Sequence, residues 1–181
     1  MKRNMKTYTF IIISFFLISN SFAQNENYPI PPKTNKLLFY IQRNLNANTI
    51  IYDAVFDKDG NLNKEKPIEV YWIRYAEQGQ KMKLRRLDRM FAFGVSWKQV
   101  NDDDGLYKVK IVADESRDLW LKQVAPFKAI ILTKINGEFS ILDKIYVLAD
   151  MSGMWPTVEY LEVFGRNAKT KKKTYQKIPI D

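Results

Sequence analysis

Apolar and polar residues alternate over most of this chain, which is the pattern of β-strands and not of helices. The alternating runs begin near Leu37 and are separated by short polar connections containing glycine, asparagine or aspartate. The predicted strands cover residues 37–43, 49–56, 68–75, 91–97, 106–112, 119–123, 128–135, 140–149 and 158–164, and a last edge strand lies in residues 173–180.

The connections between these runs carry turn chemistry. Asn136-Gly137 is a strong hairpin signal because both central residues of a type I′ turn need positive φ. The segments "DKDGN" (57–61) and "NDDDG" (101–105) also predict turns between neighbouring strands. Many strands joined by short turns predict a mainly β fold, an antiparallel β-barrel or β-sandwich with one short helix. A lipocalin-like or calycin-like barrel is one form of this architecture.

One helix is predicted over about residues 83–90, "KLRRLDRM". Leu84, Leu87 and Phe91 fall on one helical stripe, and basic residues occupy the rest of the surface. We expect this helix to lie against the sheet and plug one end of it. The strand that follows has a row of small residues around Gly94, for which close packing is the favoured explanation over a bound ligand.

The first residues differ in kind from the rest of the chain. Three basic residues precede the apolar run "YTFIIISFFLIS", and Ser21 and Ala23 are small residues suited to a signal peptidase. The sequence therefore predicts a signal peptide at 1–23, cleaved after Ala23, a flexible tether at 24–36 and a single β domain at 37–180. An uncleaved anchor is the alternative, although the apolar run is shorter than the roughly 20 residues that cross a bilayer. No transmembrane segment is expected in the mature protein.

The chain contains neither cysteine nor histidine. A lipoprotein anchor, a thiolate nucleophile, a Ser-His-Asp triad and a zinc site with His or Cys ligands are thereby excluded. Only chemistry based on carboxylate, lysine, tyrosine or an oxygen-ligated metal remains. We predict no metal and no cofactor, because the acidic turns depart from the spacing of a calcium loop and are explained by turn formation.

The positive charge is a weaker guide to function. The net charge is +9, and without the three basic residues of the predicted signal 26 basic residues stand against 20 acidic ones. This excess favours anionic neighbours in the cell envelope. The basic run "KTKKKTYQK" (169–177) is best explained as protection of an edge strand. Nucleic acid is not an expected partner, since no nucleic-acid-binding motif is present and export would separate the two.

Arg74 raises the question of a binding site, because strand alternation places it on the same face as Trp72 at the end of an apolar row. Arg43 follows a similar row, and Glu162 interrupts a third one. Such residues could form the polar end of a cavity with an aromatic wall, as small barrels do at their mouths. The candidate ligand-binding residues are Arg43, Tyr52, Trp72, Arg74, Arg89, Tyr160 and Glu162.

Two other interpretations of these positions stay open. A buried charge is stabilised when paired, so a structural ion pair between Arg74 and Glu162 is the simpler explanation. Strand carboxylates could also face each other as in a glycosidase, although most strand carboxylates are solvated or paired. The carboxylates concerned are Asp53, Asp143, Glu159 and Glu162. No residue is assigned as catalytic.

Several blocks of the sequence resemble an uncharacterised family of exported bacterial proteins, of Bacteroidetes type, known as domain of unknown function 4833. These are "LFYIQRNLNANTIIYDAVFDKDGNLNKEKPIEVYWIRY", "LDRMFAFGV", "INGEFSILDKIYV" and "PTVEYLEVFG", in that order. The resemblance implies export but no activity, cofactor or catalytic residue. The positions it marks are Arg43, Asn48, Tyr52, Trp72, Arg89, Gly94, Arg117, Glu162 and Gly165.

These observations lead to ranked hypotheses. The first is a periplasmic or secreted, non-catalytic β domain that binds a small, anionic or glycan ligand or an envelope partner. The second is a carboxylate-dependent hydrolase acting on envelope carbohydrate. The third is a structural envelope component with a packed interior and no cavity.

Overall fold

The computed structural model describes residues 28–100, 105–150, 152–154 and 156–180, so the predicted signal peptide lies outside the described residues. Within them, eleven strands form one sheet, and a short helical segment connects the fourth and fifth strands along the chain. The mainly β prediction is confirmed. The strands are β1 (Leu37–Arg43), β2 (Asn46–Ala54), β3 (Ile68–Ile73), β4 (Lys81–Lys83), β5 (Val95–Gln99), β6 (Leu106–Ile111), β7 (Asp114–Ala125), β8 (Lys128–Ile135), β9 (Glu138–Asp150), β10 (Thr157–Asn167) and β11 (Lys173–Pro179).

Strand β9 organises the sheet. One edge of β9 pairs with β10, which in turn pairs with β11. The other edge is shared, because the first residues of β9 pair with β8 and residues 144–147 pair with β1. The sheet therefore branches at β9 into one arm of β1 to β4 and another of β8 back to β5.

The two arms curl toward each other into a half-barrel and enclose one core. Their inner faces follow from alternation: Phe39 and Tyr52 face inward from the first arm, and Leu119 and Leu121 face inward from the second. The rings of Phe39 and Tyr52 stack with their centroids 4.2 Å apart. The apolar residues of the alternating pattern are thus the ones that face the opposite arm.

Nine of the ten predicted strands are present, and two of them, β1 and β8, have the predicted bounds. The strand predicted at 91–97 begins only at Val95, because the residues up to Phe93 are helical. Asn136 and Gly137 have φ values of 50° and 82°, which confirms the predicted hairpin turn. Strand β4 was not predicted, because its three exposed residues show no apolar alternation. The pairing of β1 with β9 is parallel, whereas the sequence predicts an antiparallel sheet.

The helical segment begins later than predicted and packs differently. An α-helical turn, α1 (Arg86–Asp88), continues as a π-helical turn at Arg89–Phe93. Leu84, just before it, is buried in the core. The expectation that Leu87 and Phe91 pack against the sheet is wrong, since they are 66 % and 69 % exposed.

Gly94 ends the helical segment where the backbone of the π-helical turn passes very close to it. A Cβ atom on Gly94 would lie 2.0 Å from the carbonyl oxygen of Arg89. The φ of Gly94 is −63°, so the requirement for glycine comes from this close approach and not from its backbone conformation. Packing is therefore the reason for the small residue here, as the sequence favours.

Residues 28–36 precede the first strand and contact the sheet. Pro31 is buried, and the Gln42 side chain donates a hydrogen bond to the carbonyl oxygen of Pro29 at 3.1 Å. Among the described residues, no helix has the length and apolar character needed to cross a membrane.

Candidate functional site

Arg43 is the last residue of β1 and continues the inward-facing row of Phe39 and Ile41. The pairing of Arg43 with Val147 on β9 holds it at one end of the half-barrel. Because residues two apart on a strand share a face, the guanidinium points to the core side of the sheet. An apolar row therefore ends in a cation here.

Two aromatic rings flank the Arg43 guanidinium. Its Cζ lies 4.9 Å from the centroid of the Trp72 ring and 5.4 Å from that of Phe93. The two rings meet edge to face with centroids 5.4 Å apart. These cation–π contacts hold the side chain in place, each worth about 0.5–1 kcal/mol at an ordinary site.

Among the residues that the structure describes, no acidic side chain forms an ion pair with Arg43. Its Nε is buried and has no hydrogen-bond partner in the described part of the chain. Burial lowers the pKa of Arg43 below its usual value; Asp88 acts in the opposite direction, and Arg74 adds to the lowering. Arginine stays protonated at neutral pH even so. The site thus holds a partly desolvated positive charge.

Arg43 lines a cavity of about 310 Å³, which we call the Arg43 cavity. Strands β1, β6, β9 and β10, the helical segment and the C-terminal residues form its walls, and its lining is almost entirely apolar. The lining residues are Ile41, Arg43, Leu45, Ala92, Phe93, Ile111, Ala113, Asp114, Ile145, Val147, Ala149, Pro156, Val158, Leu161 and Ile180.

Asp114 is the other charged residue in this lining, and its charge is already compensated. Arg117 donates from Nε to its carboxylate at 2.8 Å, and the two side chains are only 11 % and 16 % exposed. The hydroxyl of Ser116 donates to the other oxygen at 2.9 Å. The Arg43 cavity therefore presents one uncompensated charge, and that charge is positive.

A hydrogen bond between Tyr52 and Phe93 supports the site. The Tyr52 hydroxyl donates a hydrogen bond to the carbonyl oxygen of Phe93 at 3.0 Å, and the ring is fully buried. Burial raises the pKa of Tyr52 well above its usual value, so it remains a neutral donor. This bond ties the end of the helical segment to β2 and fixes the ring that stacks on Arg43.

Contrary to the prediction from the sequence, Arg74 does not continue the inward-facing row of β3. Strand β3 ends at Ile73, and the backbone of Arg74 begins a turn, accepting hydrogen bonds from the amides of Glu77 and Gly79 at 2.9 and 3.0 Å. The side chain of Arg74 forms an ion pair with Glu77, with Nε 2.8 Å from Oε1. The predicted pair between Arg74 and Glu162 is therefore wrong.

Glu162 and Tyr160 lie on the opposite face of the sheet. Glu162 pairs across β10 and β9 with Tyr146, which pairs with Gln42, and all three side chains point away from the core. Glu162 is only 3 % exposed and accepts a hydrogen bond from the Tyr175 hydroxyl at 2.7 Å. Burial and this bond raise the pKa of Tyr175 to about 12.

The other candidate residues lie either next to Arg43 or in a different part of the sheet. Trp72 joins Arg43, whereas Arg89 is exposed and borders a separate groove between β3 and β5. Tyr160 lies beneath the ammonium of Lys177, which is 3.6 Å from the centroid of its ring. The Arg43 cavity thus includes Arg43, is supported by Trp72 and Tyr52, and excludes the remaining four candidates.

None of the four carboxylates considered for hydrolysis lines the Arg43 cavity. Asp143 accepts three hydrogen bonds from Arg166, the shortest at 2.7 Å. Asp53 accepts one from the Tyr71 hydroxyl at 2.9 Å, and burial raises its pKa above the usual value.

Sequence reasoning missed Phe93 and the apolar side chains of β9 and β10 as parts of a site. Phe93 alternates with Phe91 and Val95, which predicts a strand face and not a ring stacked on a guanidinium. Ile145 and Val147 share a strand face as alternation predicts, but their spacing does not indicate that a cavity lies next to them.

Comparison with known proteins identifies a family. No curated protein and no solved structure is significantly similar to the chain. A family model described as a domain of unknown function (DUF4833) matches residues 39–177, which include Arg43, Trp72 and Phe93. Because the match covers most of the chain, the protein belongs to the DUF4833 family, as the resemblance of its sequence blocks indicates.

Proposed function

We propose that this domain is a non-catalytic, exported binding protein for a small apolar anion. The apolar part of the ligand occupies the Arg43 cavity, and its carboxylate or similar anionic group contacts the Arg43 guanidinium. The observation that carries this proposal is a partly desolvated guanidinium, with no ion-pair partner among the described residues, in a wall that is otherwise apolar or already neutralised. A charged donor left without a partner costs more than a neutral one, so an incoming anion would relieve that cost.

The size of the cavity limits the ligand. A volume of about 310 Å³ holds about ten non-hydrogen atoms if each takes the roughly 30 Å³ share of a water molecule in the liquid. A carboxylate with a chain of about eight carbons fits this limit. A sugar fits the chemistry poorly, because its hydroxyls would be buried among apolar side chains without partners.

The half-barrel form of the sheet suits this role, since small barrels hold ligands at their mouths. Export to the periplasm or the outside of the cell is part of the proposal. It is supported by the signal-like pattern at 1–23, and fractionation of cells expressing the full chain would test it.

The binding proposal is tested by calorimetric titration of the purified domain with octanoate and octan-1-ol, two probes with the same chain length. A hydrogen bond to a charged group is worth about 1.5–3 kcal/mol, so octanoate should bind about 10- to 100-fold more tightly than octan-1-ol. Equal affinities, or no binding of either probe, would overturn the proposal. Mass spectrometry of molecules that co-purify with the protein would then identify the natural ligand.

A further inference from the structure

Residues 81–91, which we call the basic apolar segment, expose several large apolar side chains. Leu87 and Phe91 are the most exposed of them, and Met82 and Met90 are 43 % and 49 % exposed. Burying such side chains is favourable because it removes apolar surface from water. Single exposed apolar residues are normal on a protein surface, but four of them within eleven residues indicate an interaction site.

These side chains are held outward by the local fold. Leu84 is buried and anchors the segment to the core, whereas Leu87, Met90 and Phe91 follow at spacings that place them on one face of the helical segment. That face turns away from the sheet. Within the described part of the chain, no surface covers the apolar stripe that predicts an inward-packed helix.

The same segment is strongly basic. It contains five cationic residues and one acid, Asp88. Lys81 forms an ion pair with Glu69, with Nζ 3.0 Å from Oε2. The other four form no ion pair with any residue that the structure describes. They are Lys83, Arg85, Arg86 and Arg89.

Exposed apolar tips among unpaired cations match an anionic lipid surface. Interfacial helices place leucine, phenylalanine and similar side chains about 5–10 Å into the boundary between headgroups and acyl chains. Basic residues next to them are attracted to anionic headgroups. A soluble polyanion would engage the cations alone and leave Leu87 and Phe91 in water.

We infer that the basic apolar segment docks this domain onto the surface of a bilayer that contains anionic lipid. This inference goes beyond the proposed ligand binding and does not depend on it. Ala92 and Phe93 follow the segment directly and line the Arg43 cavity. Docking would therefore bring that end of the half-barrel close to the bilayer.

Co-sedimentation with vesicles tests the inference. The full domain should bind vesicles of phosphatidylcholine mixed with phosphatidylglycerol, bind pure phosphatidylcholine vesicles far more weakly, and dissociate from the mixed vesicles as salt is raised. Each basic residue near an anionic surface contributes about fivefold to binding, so an Arg85→Gln/Arg86→Gln variant should lose about 30-fold. A Leu87→Ser/Phe91→Ser variant should lose at least about tenfold, and its exposed positions leave the core intact.

The chain offers a control with the same change in charge. Lys169 and Lys172 are exposed in the turn between β10 and β11, and a Lys169→Gln/Lys172→Gln variant should keep nearly all of the binding. An equal loss in this control, equal binding to neutral vesicles, or unchanged binding by the Leu87→Ser/Phe91→Ser variant would each overturn the inference. The last result would indicate that the cations bind anionic headgroups without insertion of the apolar side chains. Octanoate titration without vesicles reports on the Arg43 cavity alone, so the two proposals fail separately.

Discussion

Replacing Arg43 by methionine tests whether this cation serves binding or stability. Methionine keeps an unbranched, flexible side chain against Trp72 and Phe93 but removes the charge and the buried Nε. An unsatisfied buried donor costs about 1–3 kcal/mol, and the two cation–π contacts together return about 1–2 kcal/mol. The free energy of unfolding should therefore change little, between a loss of about 1 and a gain of about 2 kcal/mol.

Arg117→Met is the matched control, because Arg117 also lies near the cavity wall but is paired with a charge. Its removal would leave the mostly buried carboxylate of Asp114 without its cation. Breaking a fully buried pair costs about 3–5 kcal/mol, so at this slight exposure we expect a loss of about 2–3 kcal/mol. In a domain of this size each kcal/mol shifts Tm by about 2–4 °C.

The assay is urea unfolding of both variants followed by fluorescence, with octanoate titration of each. Arg43→Met should unfold near the wild-type urea concentration and should bind octanoate no better than octan-1-ol. Arg117→Met should unfold at lower urea and should also bind octanoate less tightly, because it leaves the Asp114 carboxylate in the cavity lining without its cation. If Arg43→Met loses as much stability as Arg117→Met, Arg43 is a structural partner and the reasoning from its unpaired charge is refuted.

Two further predictions concern buried groups outside the cavity. Burial raises the pKa of Asp53, so ionising it opposes folding, and the domain loses stability as pH rises from the unfolded value of about 4 through the higher folded value. Asp53→Asn should therefore have a higher Tm than wild type at pH 7, and scanning calorimetry should show the difference shrinking toward pH 3; a constant difference would contradict the burial argument. Gly94→Ala should lower the free energy of unfolding by about the 1–3 kcal/mol typical of overpacking, seen as a lower urea midpoint, because its Cβ would collide with the carbonyl of Arg89; a midpoint equal to wild type would show that the π-helical turn adjusts easily.

The strands could be predicted from the sequence because one signal, alternation of apolar residues, is repeated along them. Ile50 and Tyr52 on β2 face the core as the alternation requires, and so do Ile68 and Trp72 on β3. The register of β1 with β9 could not be predicted, since a parallel partner about 100 residues away leaves no local trace. The turn signal at Asn136 was sufficient because its chemistry is entirely local.

The candidate site was only partly predictable, for two physical reasons. Alternation shows that Tyr160, Glu162 and Phe164 share a face, but their neighbours Leu161 and Val163 are apolar too, so the sequence does not say which face turns inward. A strand also ends where its hydrogen bonds end, and β3 stops one residue before Arg74. Arg43 has the same sequence context as Arg74 but remains within its strand, paired to Val147.

One short segment serves both proposed surfaces, and this separates the effects that each substitution should have. The π-helical turn presents Ala92 and Phe93 to the Arg43 cavity, while Met90 and Phe91 face outward. A change at the cation inside should alter ligand binding alone, and a change among the outer basic or apolar side chains should alter vesicle binding alone. Gly94 positions the whole turn, so its substitution is the one that should weaken both activities together. Loss of only one activity in that variant would mean that the two faces of the segment are held independently.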